Sequence, residues 1–472
     1  MPILCLIRSC STGRAILRQR MLLPDRLRSL YIYIFFREPI FCRAVFLPTL
    51  ANKIGYCQKY YQNESYSAIA MNTITHLDLD TFFVSVERLM DSRLKGRPVL
   101  IGGVSDRGVV ASCSYEARAF GVHSAMPMRQ ARQLCPEAVV IRGNSANYSR
   151  YSSLVTEIIR DRVPIFEKTS IDEFYVDLTG ADRFFGCLKM ASELRHTIMR
   201  ESGLPISFGM STNKTVAKIA TGEAKPNNQL EVGAGRERPF LAPLSVKKIP
   251  GVGGKTFQSL CNLGLKRIGT VQEMPEEMME RVLGKSGQLI WRKANGIDPS
   301  PVIPYSERKS ISTERTFDRD TTDVHKLRGI LTAMTENLAF QLRRGQKLTA
   351  CITVKLRYSD FDTHTLQMRL PYTAADHVIL PRVREMFDRL YKRRVLVRLI
   401  GVRFSHLVSG GHQISLFDDT EEMVKLYQAM DRVRDKYGDR AVMRAAGIEA
   451  RTIGRSNPFS GEPPPLLANR RQ

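Results

Sequence analysis

The residues best suited to chemistry in this sequence are acids at strand spacing. In His76-Leu77-Asp78-Leu79-Asp80-Thr81-Phe82-Phe83, polar and apolar residues alternate, so a strand would put Leu77 and Leu79 on one face and Asp78 and Asp80 on the other. A second cluster, Ser170-Ile171-Asp172-Glu173-Phe174-Tyr175-Val176-Asp177-Leu178, places Asp172 and Glu173 at the start of another strand. The intervening chain is long enough for helices to return it alongside the first. Nucleotidyl transfer commonly uses two divalent ions about 4 Å apart, one lowering the pKa of the attacking hydroxyl and one stabilising the leaving oxygen. Magnesium takes a few carboxylates and leaves its other positions to substrate phosphates, and Asp78, Asp172 and Glu173 can meet that demand. Taken alone, the first segment fits equally well a half-buried edge strand with solvated acids.

These two blocks, in this order and separation, resemble the palm motifs of the Y-family translesion DNA polymerases, especially the DinB (DNA polymerase IV) branch. The resemblance implies Asp78 and Asp172 as metal ligands, Glu173 as the third catalytic acid, and two Mg2+ ions; it gives Asp80 no role. It also implies that Phe83 is a steric gate, a ring packed under the sugar that excludes a 2′-hydroxyl by clash. Phe82 reads instead as ordinary core.

Around those acids the sequence offers groups for a triphosphate. Gly108 to Ser114 reads as a strand and Tyr115 to Gly121 as a short glycine-ended helix, so Tyr115 and Arg118 share a face. Both resemble the triphosphate contacts of the family's fingers. The small residues Ala111, Ser112, Cys113 and Ser114 would leave room for distorted base pairs. Ile206 to Ser211 alternates as a strand, and the helical run after it leads to Ala224-Lys225-Pro226-Asn227, where Lys225 resembles the family's further triphosphate lysine. Lys214 and Lys218 fit either a supporting role or a solvated surface. Two stretches, Gly254-Lys255-Thr256 and Gly284-Lys285-Ser286, end like a phosphate-binding P-loop. The glycine required five positions earlier is Ile249 in one and Met279 in the other, which excludes that reading.

The elements that must position this chemistry, and the DNA, follow along the chain. Val246 to Lys255 contains Gly251 and Gly253 in a turn opening a helix, with Lys255 beside it; free amides there could take a phosphate. It resembles a helix-hairpin-helix. From Lys309 the pattern is strand, helix, strand, strand, helix, strand, a βαββαβ order that resembles the family's little finger. On its middle strands Lys355, Arg357 and Arg369 alternate with apolar residues, giving one basic face and one core face. Gly410 to Asp419 includes Gln413, Leu416 and Phe417, which resemble a peptide that docks on a sliding clamp. A helix is predicted over Thr420 to Ala446, then a flexible tail.

The 472 residues allow several domains, and 43% hydrophobic with 25% charged residues is ordinary for folded protein. The net charge of +24, spread along the chain, points to a polyanionic partner, although a plain basic bias is also compatible with it. Nine cysteines without C-x-x-C pairs or zinc spacing fit reduced thiols in a cytosolic chain and give no support to a structural metal. Residues 1–70 hold only three acids, Asp25, Glu38 and Glu64, and no apolar run long enough for a membrane span. They read as a dispensable, unstructured extension, from a start placed upstream of Met71.

The expected organisation is an α/β multidomain right hand. A ferredoxin-like palm occupies 71–240 with small fingers inserted at about 84–150, followed by a helical helix-hairpin-helix thumb (241–305), a little finger (306–408), and the clamp peptide, helix and tail (409–472). The expected partners are primer-template DNA, dNTP and a sliding clamp, with the protein a cytoplasmic monomer away from membranes. Two rival readings are a palm-type nucleotidyl cyclase and a non-catalytic scaffold binding DNA and clamp.

Overall fold

The computed structural model describes residues 72–181, 186–410, 420–438 and 441–448, with three short strands nearer the N-terminus, Leu6–Ser9, Ala15–Gln19 and Ile32–Phe35. Those three pair antiparallel in chain order and belong to a unit of their own, Met1–Ala70. Where the sequence predicts no structure there is thus a small meander, built on residues such as Ile32-Tyr33-Ile34-Phe35 that suit a pleated strand. The remainder of that segment lies outside the described residues.

From Met71 the chain forms β1 (Ile74–Leu79), α1 (Phe82–Met90), β2 (Val99–Gly102), β3 (Val110–Cys113), α2 (Tyr115–Ala119), α3 (Met128–Leu134) and β4 (Val139–Ile141). It continues through α4 (Ser145–Arg162), β5 (Phe166–Lys168), β6 (Glu173–Asp177), α5 (Cys187–Ser202), β7 (Ile206–Ser211), α6 (Lys214–Ala224) and β8 (Gln229–Glu231). The strands make a five-stranded sheet in the order β8-β7-β1-β6-β5 and a three-stranded sheet in the order β3-β2-β4. The acid-bearing strand β1 is therefore central, which rules out the edge-strand alternative.

Alternation along β1 decides which face meets which helices. Leu77 and Leu79 point into a core with Phe174, Val176 and Phe208, closed by Val84 and Val86 of α1, Val155 and Ile159 of α4, and Leu194 and Ile198 of α5. Helix α1 thus packs into the palm, and the fingers keep a separate small core of Leu100, Val110, Cys113, Ala117 and Met128. The opposite face of β1 is covered by α6. That helix lies so close to β7 that a Cβ at Gly209 would come within 2.3 Å of the Ala217 carbonyl oxygen, so only glycine fits there. Asn213 caps α6, its side-chain oxygen accepting from the Val216 N–H at 3.0 Å.

The thumb is α7 (Glu237–Leu241), α8 (Gly254–Asn262), α9 (Ile268–Gln272), α10 (Glu276–Leu283) and α11 (Lys285–Ala294). Its core of Leu241, Ile249, Leu260, Ile268 and Met279 also includes Val216 and Ile219 of α6, so thumb and palm share a hydrophobic cluster. The chain leaving the thumb is tied back to the palm. Asp298 accepts from the Thr215 N–H and hydroxyl, and Glu167 from the Ile303 N–H and the Lys214 ammonium.

The last domain is β9 (Ser310–Thr321), α12 (Val324–Arg344), β10 (Lys347–Tyr358), β11 (Thr363–Thr373), α13 (Asp376–Leu390) and β12 (Val397–Ser409), with sheet order β9-β12-β10-β11. This is the βαββαβ layout that the sequence predicts. Beyond it, α14 (Thr420–Tyr437) docks on the same domain. The buried Arg343 guanidinium donates to Asp376 at 2.8 Å and to Asp431 of α14 at 2.6 and 2.9 Å, above the Tyr427 ring. A buried charge held by two carboxylates makes this a specific seat for α14, since removing either partner would leave charge uncompensated. No helix among the described residues is long and apolar enough to cross a membrane.

Candidate active site and nucleic-acid interface

Strands β1 and β6 pair antiparallel with Asp78 directly opposite Glu173, so both side chains stand on one face. The ladder extends one step further, the Leu79 N–H donating to the Asp172 carbonyl at 3.0 Å, which sets Asp172 next to them. Ser170 fixes this corner: its hydroxyl donates to the Asp172 carboxylate at 2.5 Å and accepts from the Glu173 N–H at 3.0 Å. The three acids chosen from the sequence are neighbours, although 94 residues separate Asp78 from Asp172.

Helix α6 brings counter-charge to them. Lys218 donates to both oxygens of Glu173 at 2.7 and 2.6 Å, and Lys225, just past the helix, lies 2.6 Å from Asp78. Seven residues is close to two helical turns, so the lysines at 218 and 225 emerge on one side of the helix, toward the acids. Lys214 instead pairs with Glu167. His76, also on the covered face, is buried with Nδ1 2.9 Å from the Thr221 hydroxyl. Burial first, and then Lys218, Lys225 and Lys214, hold its pKa well below the ordinary value.

Burial drives the Asp78 carboxyl up to about 7, with Glu173 and Asp172 adding to the rise and Lys225 opposing it. Asp172 is raised too, again chiefly by burial. Among the described residues no three His, Cys, Asp or Glu side chains close into a ready-made metal cage. The donor set still fits a hard divalent cation: it is all carboxylate oxygen, drawn together at the end of two paired strands. An unfinished cage suits an ion that completes its shell with water and substrate phosphate.

Phe83 sits in the first turn of α1, its ring stacked on Tyr148 with centroids 4.2 Å apart and planes 17° from parallel. The Tyr148 hydroxyl donates to Glu87 at 2.5 Å. Phe82, by contrast, is core. Tyr115 and Arg118 lie on α2, capped by Ser114, with the guanidinium 5.0 Å from the phenol centroid. Within Ala111 to Ser114 only Ala111 is exposed, so of these four small residues it alone is open to a neighbouring base.

The thumb turn is open. Gly251 takes a positive φ of 101°, Gly251, Gly253 and Gly254 are exposed, and a Cβ at any of them would meet nothing within 4 Å. Lys255 is exposed beside them. On the little finger, strand register puts Lys355, Arg357 and Arg369 on the helix-free face of the sheet. They are not equivalent: Lys355 is paired to Glu314 at 2.8 Å, Arg357 donates to the Thr363 hydroxyl at 2.7 Å, and Arg369 is exposed. Gln413, Leu416 and Phe417 lie outside the described residues.

Tyr148 and Arg403 escaped the sequence reading, which also left Asp80 without a role and Lys218 between a supporting role and a solvated surface. Arg403 is exposed on β12 opposite Thr353, on the same face as Lys355, and its alternation with Val402 and Phe404 could have revealed it. Lys218 was visible as two turns before Lys225. Asp80 and Tyr148 had no local signal, because their partners are distant in sequence.

Residues 77–222 match the impB/mucB/samB family, and residues 308–416 match the impB/mucB/samB family C-terminal domain. A protein named DNA polymerase IV from Dehalococcoides mccartyi is 39% identical over 374 residues, 78% of this chain and 96% of the relative. Another so named, from Desulfatibacillum aliphaticivorans, is 37% identical over 382 residues, 79% of this chain and 96% of the relative. A solved Y-family DNA polymerase chimera superposes with a TM-score of 0.64 at 26% identity, covering 72% of this chain and all of that one. Fold and site together define a palm-type nucleotidyltransferase with an appended βαββαβ domain. The chain belongs to the Y family of DNA polymerases, in its DinB-type branch. It is a DNA-directed DNA polymerase of translesion synthesis, which sets aside the cyclase and scaffold readings. Helix α14 lies beyond the residues that the two family models match.

Proposed function

We propose that Asp78, Asp172 and Glu173 together hold two Mg2+ ions while a primer 3′-hydroxyl attacks the α-phosphate of a dNTP and pyrophosphate leaves. When bound, the ions would acidify the attacking hydroxyl and stabilise the leaving oxygen. The chain's own residues do the rest by position. Asp78 and Glu173 face each other on central strands that cannot splay apart, and Ser170 orients Asp172. Lys225, 2.6 Å from Asp78, joins Tyr115 and Arg118 as a contact for the triphosphate. Phe83, backed by Tyr148, bars the 2′-hydroxyl of a ribonucleotide. Gly251, Gly253 and Lys255 grip duplex phosphates, and Lys355, Arg357 and Arg369 lie along the backbone; none reads bases, as copying any sequence requires.

The observation that carries this reading is the pairing of Asp78 with Glu173 across β1 and β6, with two lysines delivered by one helix. Primer extension on undamaged and lesion-bearing templates tests it. Wild type extends both with Mg2+, and extension by Asp172→Ala at the wild-type rate would sink the assignment.

The protein works as a cytoplasmic monomer that reaches a sliding clamp through Gln413, Leu416 and Phe417. Support for the clamp contact is the position of the peptide, directly after β12 and before the docked helix α14. Alanine at all three positions should abolish clamp capture and leave clamp-free extension intact.

A further inference from the structure

Asp80 shares a motif with Asp78 but has a different environment. It lies one residue past the end of β1 and is only 1% exposed. Its Oδ2 accepts from the Ser207 hydroxyl at 2.7 Å and from the Asn227 backbone N–H at 2.6 Å. Its Oδ1 faces the Lys225 ammonium at 3.6 Å. The turn it grips, Lys225 to Asn228, is held elsewhere as well: Arg195 donates to the Asn227 carbonyl and side-chain oxygens at 2.6 and 2.7 Å, and the Ser207 hydroxyl accepts from the Asn228 N–H at 3.3 Å. Asn227 adopts a positive φ of 46°, so this backbone needs such anchors.

The charge of Asp80 is also felt in the fingers. The Tyr115 hydroxyl is buried, and after burial itself the charge of Asp80 is the largest influence raising that phenol, to about 12. Ser207 and Asn227 occupy one of the oxygens of Asp80, and the other, Oδ1, is buried facing Lys225.

We propose that Asp80 is a positioning residue that holds Lys225, and the turn that carries it, in place for the nucleotide triphosphate. It fixes the Lys225 turn through the Asn227 amide and, with its charge, keeps the ammonium at the mouth of the site. The inference rests on the reading above that Lys225 contacts the triphosphate.

The test compares wild type, Asp80→Asn, Lys225→Ala and the double variant in steady-state dNTP incorporation. A second readout is the dNTP Kd on a dideoxy-terminated primer-template with Ca2+, where no chemistry occurs. Asp80→Asn is expected to raise dNTP KM and that Kd about tenfold, the scale of one lost charge-assisted contact, with kcat and DNA affinity within about twofold. In the Lys225→Ala background the same change should add less than about twofold, because the group it positions is gone. A fall in kcat at constant KM, or effects that multiply in the double variant, would overturn the proposal. Should Lys225→Ala leave dNTP Kd unchanged, the triphosphate reading itself fails; if Lys225→Ala weakens binding and Asp80→Asn does not, only the role of Asp80 fails. If Asp80→Asn does not fold, Ser207→Ala removes one of the same hydrogen bonds, and an unchanged dNTP Kd in that variant would equally reject the idea.

Discussion

The palm and the little finger both place charge on a β-sheet, but in opposite ways. In the palm, acids on central strands are covered by a helix and matched nearly one to one by lysines: Glu173 by Lys218, and Asp78 by Lys225. In the little finger, basic residues stand on an open face, and only Lys355 of the three named there has an acidic partner. Burial makes each palm charge strongly dependent on its neighbours, whereas solvent screens the little-finger charges into nearly independent contributors. Chemistry at one phosphorus needs the first arrangement; holding a long polyanion of any sequence needs the second.

The comparison breaks most severely at Asp172. Asp172→Ala should reduce single-turnover incorporation by roughly 10³-fold or more, while primer-template affinity changes less than about threefold. Parallel losses in both would mean that the palm acids act through folding. Next comes Phe83→Ala, which should raise ribonucleotide relative to deoxyribonucleotide incorporation by about 10²-fold. Tyr148→Ala should relax the same discrimination less, because the gate ring survives without its stacking partner.

The little finger predicts smaller, additive effects. Arg369→Ala and Arg403→Ala together should weaken DNA binding about tenfold at moderate salt and flatten the salt dependence by roughly one unit of slope each. Lys355→Ala should cost about twofold at most, since Glu314 already neutralises that ammonium. If Lys355 proved as important as Arg369 in a salt titration, its ion pair with Glu314 would have to open on binding.

The smallest effect concerns stability. The Asp78 carboxyl, raised to about 7, binds its proton more tightly folded than unfolded. The stability of the protonated form is complete below its unfolded pKa of about 4 and fades as pH rises through about 7. Asp78→Asn removes that loss, so with metal chelated it should be more stable than wild type by about 1 kcal/mol at pH 8, net of the partner that Lys225 loses. The advantage should vanish near pH 4, as thermal unfolding across that range would reveal. A variant less stable at pH 8 would show that the pair with Lys225 outweighs the burial of the charge.

Much of this was legible in the chain itself. Period-two alternation marked β1, β7 and the little-finger strands, and the order of blocks gave βαββαβ, because side-chain direction in a strand is a local property. The acids stood out in their two strand clusters, whereas Phe83 and Tyr115, both on helices, were named through the family resemblance. Less legible was the environment of each. The sequence placed Asp78 and Asp80 alike on one strand face; the fold separates them, because the chain turns after Leu79 and buries Asp80 against Ser207 and Asn227.

What the sequence alone determined, then, is which residues alternate, where helices begin, and which acids and bases exist in what order. Only the tertiary structure decided that β1 is central, that Gly209 lets α6 lie close enough to deliver Lys218 and Lys225, and that Lys355 is paired while Arg369 is not. The reason is physical: strand periodicity is set by neighbours in the chain, whereas pairing, burial and charge balance are set by groups that meet only after long loops have closed.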